Sequence, residues 1–487
     1  MKKIDLGVVV TTLIIVTISC SLAFFAARVI GNPKDINLVA KNVAITFTDT
    51  SSIASDVISP GWNNVKTFTI TNNSKEDFSY NITLKGLVNT FESINTLQYK
   101  ITSDTGYNMD NYLNVIKTET SKDVVLAYNI TIPKNTIQSY QVEFNYVSTE
   151  EDQSGDMGKK LGGTLAIEAS TGTPEIYDKL LADNPTIKTR TDFSTSLTET
   201  NVNTLYKAQE DNTDVYYFAG DARNNWVKFG GYYWRIIRTN SDGSIRLLYH
   251  GTSVDTTDAF IETTTFNSIY NDPMYAGYMY GTSGSLENNR LNTTNSVIKQ
   301  KIDNWYKQNL NDNYGKYIST SAIYCNDRSV SNDTEYETST EFSFLSNIRM
   351  DVTKTPDYNC ASEKDAFSAS NNDANLIYPV GLMTNDEIIY AGGVKYKHFE
   401  EPNIYYYLNS VGTSATGSNY WYTMSPMFFH LGAVYLGCIG GNSDPGVLNS
   451  AVATHTAVIR PVISIKGENV WKSGDGTADS PYEIMLN

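Results

Sequence analysis

The sequence predicts an N-terminal membrane helix, then an all-β sandwich, then an α+β unit. Three observations carry that reading: an uncharged apolar run near the start, strict two-residue alternation over the next 130 or so positions, and mixed helix and hairpin signals beyond a short linker. Residues 6–27 hold no charge and are rich in Val, Ile, Leu, Phe, Ala and Thr. As a helix rising ~1.5 Å per residue they would cross a hydrocarbon core of ~30 Å. Lys2 and Lys3 precede the run, and basic residues favour the cytoplasmic side. Residues 1–31 therefore read as a cytoplasmic tip and anchor, making the membrane one partner and leaving the remainder outside a cell as a single-pass protein. A cleaved signal peptide is disfavoured by Phe24 and Phe25, where small residues are wanted. A lipid attachment at Cys20 is disfavoured because Ser21-Leu22-Ala23-Phe24-Phe25 stays apolar.

Residues 37–169 alternate with period two. Leu126, Tyr128, Ile130 and Ile132 fall on one face, as do Tyr140, Val142, Phe144 and Tyr146, then Tyr80, Ile82 and Leu84, and Leu97, Tyr99 and Ile101. Turn chemistry at Ser59-Pro60-Gly61, Asn72-Asn73-Ser74, Asp104-Thr105-Gly106 and Pro133-Lys134-Asn135 separates these runs. Short half-buried strands without a long helical pattern predict a β-sandwich stalk. Residues 148–163 are acidic, but lack EF-hand spacing, and read as a solvated turn. Residues 170–174 (Ser-Thr-Gly-Thr-Pro) are a linker.

Residues 175–487 mix elements. Pro174 to Leu181 reads as a short helix. Asn240-Ser241-Asp242-Gly243 turns a hairpin between Asn225–Arg238 and Ile245–Tyr249. Ser296 caps a helix that places Ile298, Ile302, Trp305 and Tyr306 on one face, and Thr384-Asn385-Asp386-Glu387 is a capping box. The chain returns to strands near Tyr420, Gly432 and Val458.

Composition narrows the function. With 37 Lys+Arg against 53 Asp+Glu the formal net charge is −16, which repels phosphate backbones, so nucleic acid is not an expected partner. Tyr numbers 34 while only 18% of residues are charged, the composition of an extracellular binding surface. Of four cysteines, Cys325 and Cys360 sit in polar, turn-rich sequence and are expected to form a disulfide worth ~3–4 kcal/mol, whereas Cys438 reads as a buried small hydrophobe.

No catalytic set, metal site or cofactor is expected. His250, His398, His430 and His455 lack metal-ligand spacing and no HExxH or nucleophile elbow is present. Glu401-Pro402-Asn403 has the lettering of a lectin calcium loop without the partner ligands, and Asp475-Gly476-Thr477 reads as a turn. The candidate ligand-binding residues are Trp421, Tyr422, Phe428, His430, Asn442, Asp444, Asn449 and His455, on the last strands and their polar loops; the alternative is that the aromatics are core. An unknown extracellular glycan or protein is the expected ligand, in a non-enzymatic display or adhesion role. The alternatives are an extracellular hydrolase or oxidoreductase with a dispersed site, and a structural subunit of a matrix fibre.

Two resemblances add to this. Val65-Lys66-Thr67-Phe68-Thr69-Ile70-Thr71-Asn72-Asn73-Ser74, with the apolar N-terminus, is similar to the camelysin and biofilm-fibre group of Gram-positive bacteria, which implies a jelly-roll module. Camelysin activity is not implied, because no ligand or nucleophile set matches. From about Trp226 to Ile465, the segments Phe229-Gly230 with Tyr233-Trp234-Arg235, Asp303-Asn304-Trp305-Tyr306, Gly381-Leu382-Met383-Thr384, Tyr420-Trp421-Tyr422-Thr423-Met424-Ser425-Pro426 and Ile459-Arg460-Pro461-Val462 occur in order. They resemble uncharacterised secreted bacterial domains with a Trp-Trp-Leu-Arg-Ser-Pro strand and a Val-Arg-Pro strand. More distantly they resemble the C-type-lectin-like fold of formylglycine-generating enzymes. Met424 replaces the Arg of that signature, and Cys438 has no companion cysteine in the matching region, so formylglycine chemistry is not implied.

Overall fold

The computed structural model describes residues 36–40, 43–49, 58–93, 95–197, 199–256, 259–331, 336–395, 420–440 and 447–486. The chain divides into two compact units, Met1–Pro174 and Glu175–Asn487.

Among its described residues the first unit has nine strands: β1 (Ile36–Ala40), β2 (Val43–Asp49), β3 (Asn63–Asn72), β4 (Phe78–Asn89), β5 (Leu97–Ser103), β6 (Leu113–Asn114), β7 (Thr118–Ile132), β8 (Thr136–Tyr146) and β9 (Leu161–Ala169). They form two antiparallel sheets, β1-β2-β3-β8-β5-β6 and β7-β4-β9. The alternation explains the pairing of layers. Phe68, Ile70, Tyr140, Val142 and Phe144 from one sheet meet Tyr80, Ile82, Leu84, Leu126 and Ile167 from the other in a single core. Tyr128 departs from its expected face: it is only half-buried, because β7 loses register with β4 around Ile82 and Asn129 adopts a left-handed φ of 51°. Inside the core, Tyr80 and Tyr140 share a hydroxyl contact of 2.8 Å, and the Tyr80 hydroxyl donates to Gln138 at 2.7 Å.

The second unit contains β10 (Thr186–Thr189), β11 (Thr204–Glu210), β12 (Thr213–Tyr217), β13 (Trp226–Phe229), β14 (Tyr232–Thr239), β15 (Ile245–Gly251), β16 (Trp421–His430), β17 (Ala433–Ile439), β18 (Leu448–Val452) and β19 (Val462–Ile465). One sheet runs β10-β11-β12-β14-β15-β19, with β13 paired to β14. The other is centred on β16-β17-β18. The helices that pack with these sheets include α1 (Ile176–Asp183), α2 (Val297–Asn309) and α3 (Asn385–Tyr390). Ser296 caps α2 by accepting from the Lys299 N–H, and Thr384 and Glu387 complete the capping box of α3. Trp234, Ile236, Leu247 and Ile463 of one sheet, Trp421, Leu436 and Leu448 of the other, and Ile298, Ile302 and Tyr306 of α2 belong to one apolar core.

The expected fold class needs correction. Among the described residues the protein is mostly β-sheet with only 15% helix, so the expected α+β body of the second unit gives way to a β-rich one. The capping signals bound short helices; the longest among the described residues is α2, at 13 residues. The membrane helix expected over residues 6–27 lies outside the described residues. Among the described residues no helix is long and apolar enough to cross a membrane. The expectations of a membrane partner and of single-pass membrane localisation are accordingly withdrawn.

Candidate binding face at the C-terminal hairpin

The eight candidate residues cluster in sequence around the β16-β17-β18 sheet, whose register runs from Trp421↔Ile439 at one end to His430↔Ala433 at the other. Burial divides them. Trp421 and Tyr422 are core, at 1% and 0% exposure. The Tyr422 hydroxyl lies 2.8 Å from both the Val452 and His455 carbonyls, so its polar end is consumed internally. Nearly every residue of β16 is buried, because core packs on one face and α3 with its neighbours on the other. The Asn385 amide donates to Met427 Sδ and accepts from Thr423 Oγ1 at 2.8 Å. Gly437 is required there, since a Cβ would stand 2.0 Å from Asn385 Oδ1.

Phe428, His430, Asn449 and His455 retain some exposure. Phe428 packs on Tyr435 with ring centroids 4.7 Å apart, and His430 meets the Phe428 ring at 6.4 Å. Asn449 Oδ1 accepts from the Ser450 N–H, which leaves the side chain turned along its own strand. His455 stands edge-on to Tyr420 at 5.0 Å. Asn442 and Asp444 lie outside the described residues, as do His398 and Glu401-Pro402-Asn403. The two histidines do not meet. Tyr422 touches the His455 carbonyl and pairs with Cys438, while His430 pairs with Ala433; β16 bulges between these points, and the five steps of β17 that span them, at ~3.3 Å each, set the two ends roughly 17 Å apart. Cys438 is fully buried, and burial pushes its thiol well above the usual range, away from a thiolate nucleophile.

Sequence reasoning missed the feature at the tip of this hairpin. Leu431 and Gly432 form the two-residue turn with φ of 49° and 69°. Such turns favour Asn, Asp or Gly, because a left-handed conformation brings Cβ against the following carbonyl. Leu431 holds that conformation while 80% exposed. Glu341 fixes it: one carboxylate oxygen accepts the Leu431 N–H at 2.9 Å, and the other lies 2.8 Å from His430 Nδ1. The Leu431 N–H, and secondarily His430, hold the Glu341 carboxyl below its usual range. Beside the turn, the Tyr270 carbonyl accepts the Val434 N–H at 2.8 Å, placing the half-exposed Ile269 and Tyr270 against the same hairpin. The signal available in the sequence was Leu-Gly at a position where hairpins favour Asn-Gly.

A second constellation, also illegible in sequence, is buried. Glu387 of α3 lies 3.0 Å from Arg238 Nε and 2.8 Å from Arg246 Nε, and Arg238 reaches Glu210 at 2.8 Å. Arg349 spans Asp386 and Asp327, each at 2.8 Å. Burial raises the Asp386 carboxyl against the pull of Arg349. Burial opposes ionisation of Glu210 too, yet Arg238 overcomes it and the carboxyl sits low. The gap among these groups is about 10 Å³, room for about one water and no substrate. Cys325 borders it and is joined to Cys360 by a disulfide, the pairing expected from the polar context of both. The cluster is charge compensation inside the fold. Arg460 is likewise interior: its guanidinium donates to the Tyr249 carbonyl and lies over the Trp421 ring at 5.1 Å.

Among the described residues no group of three or more His, Cys, Asp or Glu is placed to hold a metal. Asp475 Oδ1 accepts the Thr477 N–H and hydroxyl, and Asp156 accepts from Tyr146, Ser93 and Glu92, so both acidic loops engage their carboxylates internally. No protein-family model matches the chain, and no curated protein matches it.

Proposed function

We propose that this is an extracellular, non-enzymatic binding protein whose Glu175–Asn487 unit engages a protein ligand through the β16–β17 tip. One observation carries the reading: a leucine kept in a strained, solvent-facing conformation by a dedicated carboxylate clamp. A non-glycine residue in the left-handed region costs about 1–3 kcal/mol, and such strain concentrates at functional sites. Neighbouring Ile269, Tyr270 and Phe428 widen the apolar contact that an aliphatic knob would make in a pocket. The Cys325–Cys360 disulfide supports an oxidising, extracellular setting. The ordinary expectation for the candidate nucleophiles and bases is structural, since Cys438 is buried as a thiol and His430 and His455 sit at opposite ends of the sheet.

The test is an array of extracellular proteins and glycans probed with the full chain and with Leu431→Asn. Protein ligands that are retained by the native chain and lost by Leu431→Asn support the reading. Ligands bound equally by both, or binding confined to glycans, overturn it.

A further inference from the structure

The first unit carries an opening of its own. Between its two sheets lies a cleft of about 970 Å³, in the size range of small-molecule sites. Its depth is apolar, with Leu84, Phe144 and Tyr146 almost fully buried and Val88 and Leu161 half-buried at the mouth. Two local features open the sandwich there. Around Gly86, φ 61°, β4 bulges and loses register with β9 between Lys85 and Val88. At the start of β9, Gly162 and Gly163 supply no side chain to close the gap, and a Cβ on Gly163 would stand 2.9 Å from Leu84 Cγ.

Two lysines stand on the rim. Lys159 and Lys160 both border the cleft. Lys159 is paired with Glu92, whereas Lys160 is exposed; its backbone N–H donates to Thr90 Oγ1 at 2.8 Å, and among the described residues its side chain forms no ion pair. Asp156 lies in the same wall, but its oxygens face Tyr146 at 2.7 Å and the Ser93 N–H at 3.2 Å. An apolar channel with a cation at its mouth matches one class of ligand. We propose that this cleft binds a single-chain anionic amphiphile, an alkyl carboxylate whose tail lies between the sheets and whose head group meets Lys160.

The chemistry sets a quantitative expectation. Each buried methylene tightens binding about fourfold, so each two-carbon step gains roughly an order of magnitude until the cleft is filled. Titration calorimetry of the full chain with octanoate, decanoate and dodecanoate, each below its micellar concentration, reads this directly. One saturable site per chain with that progression is the expected result. Leu161→Trp fills the mouth and abolishes binding with the far-UV spectrum unchanged. Lys160→Glu weakens dodecanoate about tenfold and leaves dodecanol unaffected. Non-saturable uptake, affinity independent of chain length, or a Lys160→Glu effect equal for dodecanoate and dodecanol overturns the proposal; so does undiminished binding by a folded Leu161→Trp. If Leu161→Trp does not fold, the chain-length series and the Lys160→Glu comparison decide the matter alone.

Discussion

Leu431→Asn is expected to stabilise the protein, an unusual direction for a point substitution. The left-handed backbone costs a leucine about 1–2 kcal/mol, whereas Asn accepts it readily. The opposing loss is small, because Leu431 is 80% exposed and removing the remaining contact forfeits about 0.5 kcal/mol at ~25 cal/mol per Å². Asn keeps the backbone N–H, so the Glu341 clamp survives. The net gain is about 1 kcal/mol, or roughly 2 °C in Tm for a unit of this size. Differential scanning calorimetry of the two chains measures it. Leu431→Gly serves as a control, since relief of strain is offset by about 0.5–1 kcal/mol of backbone entropy and the Tm should hardly move. A Leu431→Asn variant that melts at the native temperature or below would refute the claim that the tip is strained, and with it the argument that strain is retained for binding.

Three further outcomes concern the second unit. Glu387→Gln leaves the guanidinium groups of Arg238 and Arg246 buried without their shared carboxylate, and denaturant unfolding should show a loss of about 3–5 kcal/mol. His250 is buried against Trp226, and burial, reinforced by Arg235 and Arg460, lowers its pKa from 6.5 to about 3. The unfolded chain therefore binds the proton first: stability is intact above pH 6.5 and falls as the pH drops toward 3, by about 2 kcal/mol at pH 5. His250→Gln should flatten that part of the pH–stability curve; an unchanged slope would exclude His250 as its source. Replacing Cys325 and Cys360 by Ser opens a loop spanning 35 residues and should lower stability by up to about 4 kcal/mol, with no further change on adding a reductant.

The parts of the fold that were legible are those set by neighbours in sequence. Ser296 and the Thr384–Glu387 capping box mark helix starts through contacts three residues apart, and both are observed. The Asp242-Gly243 turn is observed between β14 and β15, with Gly243 at φ 80°. Alternation in β5 and β8 places the same residues inward that period two selects, because one face of each strand meets solvent. Alternation fails as a guide in β16. There both faces are covered, so Trp421 and Tyr422 look like neighbours of an exposed site in sequence and are core in space. The candidate site suffered accordingly: of the residues chosen from that strand, Phe428 and His430 reach the surface, while Leu431, one position further, carries the strongest signal.

What the linear chain determined by itself is the β-rich character, the turn and cap positions, the acidic balance and the pairing of the two cysteines in polar context. These depend on residue type and short spacing, which local sterics and hydrogen bonds decide. Tertiary structure alone decided that Glu387, read as a cap, also neutralises Arg238 and Arg246 from β14 and β15, more than 140 positions away. It alone decided that Gly162 and Gly163 leave a cleft and that Glu341 locks a leucine at a turn contributed by a strand 90 residues later. The reason is physical: charge compensation, cavity shape and exposure depend on which distant segments are brought within a few ångströms, and nothing in the spacing of residues along the chain encodes that distance.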